Sequence, residues 1–147
     1  VGDDALASKV ASIALSMGKL VNNAVNYREG NVIVPFSAYA SGLGIAVTSF
    51  GVSGLAARIA LEKIVKLLEG DEEVKATLKA LGRLKRVVRA IVSDPKTRMK
   101  LYEALEGDEE LRSYLRRGDW RSAYLRGLEV IKSHKVPVDP SYYVLLD

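Results

Sequence analysis

Residues 71–95 read DEEVKATLKALGRLKRVVRAIVSDP. Leu81, Leu84, Val87, Val88 and Ile91 recur at the spacing of one helical face, and Lys75, Lys79, Arg83, Arg86 and Arg89 fall on the opposite face. That pattern predicts an amphipathic helix running to about Val92. Asp71 stands where an N-cap belongs, and Glu72 and Glu73 fill the first turn, where the helix dipole favours acid. Ser93-Asp94-Pro95 is a restart, a cap followed by proline at the first helical position.

The same punctuation continues on both sides. A helix over about 95–106 is closed by Gly107; Asp108, Glu109 and Glu110 open another to about Arg117; Gly118 breaks it, and Asp119 caps a last helix to about His134. The phrase LEGDEE occurs at 68–73 and again at 105–110. It marks a glycine stop followed by an acidic restart, which is capping chemistry rather than duplication. Upstream, a helix over about 55–68 ends at Gly70. Leu6, Val10, Ile13, Met17, Leu20 and Val21 predict a helix over 4–26, capped by Asp3 or Asp4, weakened by Asn22, Asn23 and Asn26 and stopped at Gly30-Asn31. Residues 32–36 are extended ahead of Pro35. Ser37 reads as an N-cap for a small-residue helix over 38–50, broken by Gly51-Val52-Ser53-Gly54. Val136-Pro137 and Asp139-Pro140 make the tail extended, ending in a short strand-like or docking segment, Tyr142 to Leu146.

The expectation is therefore an all-α, compact helical bundle in one domain over 1–147. Residues 1–36 form an N-terminal helical arm and linker, 37–134 the helical core, and 135–147 an extended tail. A chain of 147 residues can bury a core of its own. It begins with Val1, which reads as a trimmed form, and Asp3 and Asp4 stand where a secretory signal would be positive.

Composition narrows function. Cysteine is absent, which excludes disulfides, thiolate metal sites and cysteine nucleophiles. His134 is the single histidine, which argues against histidine-rich metal sites and Ser-His-Asp chemistry. Gln is absent and Glu, Lys, Arg and Val abound, a hyperthermophile balance. Glu72/Glu73 and Glu109/Glu110 are explained as helix starts, and Gly51–Gly54 lacks the Gly-Lys-Ser/Thr of a phosphate loop. No enzyme, cofactor or metal site is expected.

Charge carries more. The net charge of +4 favours a polyanionic partner. Residues 75–100 hold nearly all of their charge as Lys and Arg, against Asp94 alone. Cations at helical spacing can follow a phosphate backbone, and the stripe lacks the Asn and Gln that read bases. By contrast, nothing ionises between Glu29 and Arg58. Pro35 and several glycines interrupt that window, so close helix or subunit packing explains it better than a membrane span. Tyr114, Trp120 and Tyr124 are expected as an aromatic patch around the last break.

Two blocks, in order, carry a resemblance. Val34-Pro35-Phe36-Ser37 leads to the turn Phe50-Gly51-Val52-Ser53-Gly54, with Ala57-Arg58 beginning a basic helix; later, Val88 to Pro95 precedes a short helix ending at Gly107. Over about residues 20–107 the chain resembles the major coat proteins of rod-shaped and filamentous archaeal viruses, of the rudivirus, lipothrixvirus and tristromavirus type. It departs from the rod-shaped relatives after Gly107, with a longer C-terminal region and a denser basic stripe.

The resemblance implies a helical, non-enzymatic coat subunit located in the virion nucleocapsid of a hyperthermophilic archaeal virus. Such subunits pair with themselves or with a paralogous coat protein, clamp linear double-stranded DNA in the A-form without sequence preference, and stack into a helical filament. Some relatives are enveloped, so envelope lipid is a further contact. Arg58 matches the arginine after the family's turn, with Lys63 and Lys66 on the same helix. The other expected DNA contacts are Lys75, Lys79, Arg83, Arg86 and Arg89 of the stripe and Lys9, Lys19 and Arg28 of the first helical region. The alternative is a small helical nucleic-acid-binding subunit of an archaeal CRISPR effector complex, which is also basic and of this size.

Overall fold

The computed structural model of the chain describes residues 3–144. The fold divides between Glu69 and Gly70 into two compact units.

The first unit opens with α1 (Asp4–Ser16), whose N-cap Asp3 accepts a hydrogen bond from the Leu6 amide. The helix stops well short of the expected residue 26. Gly18 takes a φ of +68°, and the Lys19 amide reaches back to the Ala14 carbonyl, a left-handed C-terminal closure. The asparagines that follow build a loop rather than fraying a helix. Asn23, 6% exposed, accepts from the Val25 and Asn26 amides, and Asn31 accepts from the Val21 amide at 2.7 Å.

The larger correction lies at residues 36–47. In place of a small-residue helix the chain forms an antiparallel hairpin, β1 (Phe36–Ala40) and β2 (Leu43–Val47), with Ala40 opposite Leu43 and Phe36 opposite Val47. The fold is therefore mostly helical but not all-α. Ser41 and Gly42 both have positive φ, 49° and 83°, which suits the twist of a two-residue hairpin turn. Ser41 also donates its hydroxyl to the Leu68 carbonyl at 2.6 Å, satisfying an open carbonyl in the last turn of α2 (Gly54–Glu69). That helix lies across both strands and buries Ala57 and Leu61, while Ala40 is buried from the hairpin side.

The second unit is helical: α3 (Glu72–Ile91), α4 (Pro95–Gly107), α5 (Glu109–Arg116) and α6 (Trp120–Ser133). Each begins at an aspartate whose carboxylate accepts an amide of the first turn: Asp71 from Val74, Asp94 from Thr97, Asp108 from Leu111 and Asp119 from Ser122. These caps contribute roughly 1 kcal/mol apiece. α6 packs against α3, α4 and α5. Leu84, Val88, Leu101, Leu111, Leu128 and Ile131 are fully buried among them. A Cβ on Gly127 of α6 would lie 2.3 Å from Leu84 Cδ1, so the absence of a side chain there lets α3 and α6 approach.

The tail is not simply extended. Pro140–Tyr143 forms a 3-10 turn capped by Asp139, and Val136, Val138, Tyr142 and Tyr143 pack on the helical core. The buried Tyr124 hydroxyl donates to the Tyr142 carbonyl at 2.9 Å. The expected docking segment extends to Leu145 and Leu146, which lie outside the described residues.

The turn Phe50–Gly54 yields a prediction. Gly51 has φ +79°, and a Cβ there would sit 2.3 Å from the Tyr27 ring, whereas one on Gly54 would meet Phe36 at an ordinary 3.6 Å. Gly51→Ala should lose about 1–2 kcal/mol from the left-handed backbone alone, plus the ring clash. Gly54→Ala should stay within about 0.5 kcal/mol of the parent. Urea unfolding of the two variants checks the difference; equal stabilities would refute this account of the turn.

Candidate nucleic-acid interface

The basic face of α3 is built by the helix and organised by its neighbour. Leu84, Val87 and Val88 turn inward, which leaves Lys79 and Arg86 exposed and Arg83 half-buried. α6 starts beside them because Asp119 caps it, and this sets Trp120 against the cations. Lys79 Nζ lies 3.9 Å from the Trp120 ring centroid, Arg83 Cζ 4.7 Å and Arg121 Cζ 5.5 Å. Cations over an indole are held by its quadrupole at about 0.5–2 kcal/mol each. Next to this cluster Arg83, Arg86, Tyr124 and Tyr142 line a concavity of about 390 Å³. Burial pushes the Tyr124 hydroxyl above its ordinary range, so it stays a neutral donor at physiological pH, with Arg83 and Arg86 opposing that shift.

The predicted stripe separates into parts. Lys79, Arg83 and Arg86 gather on the α6 side with Trp120. Lys75 is paired with Glu72 at 2.8 Å. Arg89 lies on the other flank, where it lines a groove against α4 with Lys85. The remaining predicted cations belong to the first unit. Lys9 is exposed on α1, and Lys19 is exposed just beyond it. Arg28 stands in a 3-10 turn, Tyr27–Glu29, with Nε donating to the Tyr27 hydroxyl at 3.3 Å. Arg58, Lys63 and Lys66 are exposed on α2.

Sequence reasoning missed Arg121 and the role of Trp120 as the platform for three cations. Both sit just after the Asp119 cap, and only the packing of α6 on α3 brings them to the stripe. The expected patch of Tyr114, Trp120 and Tyr124 is distributed: Tyr114 carries Arg117 at 5.0 Å, Trp120 the α3 cations, and Tyr124 the tail.

The acidic clusters serve structure. Asp108 accepts three contacts from Arg126, at 2.8 Å from Nη2 and at 3.1 and 3.3 Å from Nε, while Arg126 Nη1 reaches Glu110 at 3.0 Å. His134 directs Nδ1 at the Val130 carbonyl, 2.9 Å away. Among the described residues no group of three His, Asp or Glu could hold a metal ion. Among them, too, no helix is long and apolar enough to cross a membrane; the uncharged window is spent on the hairpin and the start of α2.

No known protein-family model matches the chain, and no curated protein matches its sequence.

The Asp108 site has a pH signature. The Arg126 guanidinium, with the Leu111 amide, holds the Asp108 carboxyl below its usual range. The unfolded chain thus takes up the proton more readily, so this contribution is present at neutral pH and is lost as pH falls below about 4. Asp108→Asn keeps a cap acceptor but loses the ion pair. It should cost about 1 kcal/mol at pH 7 and less at pH 3. Thermal unfolding at both pH values measures this, and an equal deficit at both would refute the ion-pair assignment.

Proposed function

We propose that the chain is a structural, non-enzymatic coat subunit that packages linear double-stranded DNA through its phosphate backbone. In this reading it forms the helical nucleocapsid of a filamentous or rod-shaped virion infecting a hyperthermophilic archaeon. The carrying observation is the α3–α6 face, where Lys79, Arg83 and Arg121 surround Trp120 and Arg86 lines the adjoining concavity with Arg83, Tyr124 and Tyr142. Clustered cations of this kind engage phosphates, and no Asn or Gln stands among them to read bases, as coating a whole genome requires.

The resemblance to the archaeal coat proteins supports the virion context through two surviving elements. One is the Phe50–Gly54 turn leading into α2 with Arg58. The other is the α3, Asp94-Pro95, α4 unit. The hairpin at 36–47 replaces the helix that the family pattern implies before the turn, so that segment lends no support. Pairing with a second copy or a paralogous coat, DNA held in the A-form and contact with envelope lipid belong to the same proposal.

The test mixes the full chain with linear double-stranded DNA. Electron microscopy should show uniform filaments, nuclease digestion should spare the DNA, and circular dichroism should move toward the A-form. Discrete particles without filaments would overturn the coat reading in favour of a finite nucleic-acid complex, such as a CRISPR effector. The triple variant Lys79→Gln, Arg83→Gln, Arg86→Gln should bind every sequence more weakly. Its slope of log affinity against log salt should fall by about 2 to 3, as the loss of three phosphate contacts requires. An unchanged affinity and slope would remove this face from the reading.

A further inference from the structure

A second surface lies on the opposite flank of α3. The link at 92–94 folds α4 back along α3, and between the two helices runs a groove of about 670 Å³. Leu78, Leu81, Met99, Tyr102 and Leu105 line it. Leu78 is 40% exposed and Met99 56%. Gly82 lies in the same wall, and nothing stands within 4 Å of the position its Cβ would take. Glycine in a helix interior is less favourable than alanine, so its presence beside open space suits a neighbour that approaches the backbone. The Tyr102 hydroxyl is buried and has no hydrogen-bond partner among the described residues. That hydroxyl lies inside the wall, out of reach of anything in the groove, so the surface Tyr102 offers is its ring.

The charges at the groove are arranged by sign along its length. Lys85, with Nζ 5.6 Å from the Tyr102 ring, and Arg89 stand toward the C-terminal end of α3. Glu106 stands at the other end, near the close of α4 and alongside Leu78 and Leu81. We infer that this groove is the contact face between two copies of the chain, related by a two-fold axis that sets each copy's Glu106 against the other's Lys85 and Arg89. A two-fold contact uses one patch twice, so the patch must complement itself. An apolar centre with opposite charges at its two ends meets that condition when the copies run antiparallel. An anionic amphiphile would meet Glu106 at the apolar end, and a nucleic acid would meet an apolar floor, so a second copy fits best. The inference rests on the pairing included in the proposed function and names its face; its test contains no nucleic acid, so this contact and DNA packaging can fail separately.

Sedimentation of the full chain without DNA should show a concentration-dependent dimer. Gly82→Leu fills the groove and should weaken the dimer tenfold or more, without lowering the Tm, because leucine favours the helix. Glu106→Lys and Lys85→Glu each place like charges across the axis twice and should each weaken self-association about tenfold. Both change exposed side chains, so they keep the test decisive if Gly82→Leu fails to fold. Mixed in equal amounts, Glu106→Lys and Lys85→Glu chains should form a heterodimer tighter than either variant's own dimer, because one crossing is unchanged and the other again sets opposite charges at 85 and 106. A monomeric parent at every concentration would overturn the inference. So would a dimer indifferent to all three variants, which would move the contact to another face such as the exposed Leu6, Val10 and Ile13 stripe of α1, and so would a mixture that fails to associate.

Discussion

The second unit depends on one close approach, that of Leu84 on α3 to the bare backbone of Gly127 on α6. Leu84 is fully buried, and any side chain at residue 127 would drive it out of place. This contact sets the distance between α3 and α6. Distance in turn decides the cationic cluster, because Lys79 and Arg83 reach the Trp120 ring only when the two helices lie this close. Filling the Gly127 position would therefore disturb the core and the cationic face together, and the two effects share one cause.

The aspartate caps play the complementary part of fixing where each helix begins. Asp119 accepts the Ser122 amide, and its carboxyl is held below its ordinary range by Ser122, so it stays ionised at the positive end of the helix. Trp120 and Arg121 are the first helical residues after that cap. Had the helix started a turn later, neither would stand beside α3. Asp108 does a second task, since the carboxylate that caps α5 also binds Arg126 of α6 and ties the two helices together. Local sequence chemistry and tertiary packing thus converge on the same few acidic residues.

How much was legible follows from which forces are local. The helices of the second unit could be read within a residue or two, because an aspartate cap, an acidic or proline first turn and a terminal glycine are all near neighbours in sequence. The hairpin could not be read so easily. Its strands, Phe36-Ser-Ala-Tyr-Ala and Leu43-Gly-Ile-Ala-Val, are dominated by small residues whose alternation is faint, and Ser37 mimics a helix cap. The available signal was Ser41-Gly42, a turn dipeptide between two short apolar runs. Likewise Asn22, Asn23 and Asn26 read as a failing helix, when Asn23 is the buried centre of a loop whose partners lie residues away. For the candidate site, helical spacing revealed the α3 cations. It gave no sign that Lys75 would turn to Glu72, that Arg89 would face α4, or that Arg121 would join from another helix.

The division of α3 into two working flanks is the feature with the widest consequence. A helix of twenty residues carries its buried stripe toward α5 and α6 and leaves two shoulders beside it. One shoulder meets α6 and gathers Lys79, Arg83 and Arg86 around aromatic rings; the other meets α4 and is apolar, with its cations kept to one end. Basic charge spread evenly around the helix would repel a second copy as surely as it attracts phosphate. On the two proposals made above, segregating it allows a single helix to present a polyanion-binding face and a self-complementary face back to back. A subunit that repeats along a polyanion needs both, because phosphate contacts alone set no spacing between neighbours. The proposed two-fold contact at the apolar groove would fix the spacing within a pair without competing for the same side chains, since Arg89 lines the groove and not the Trp120 face.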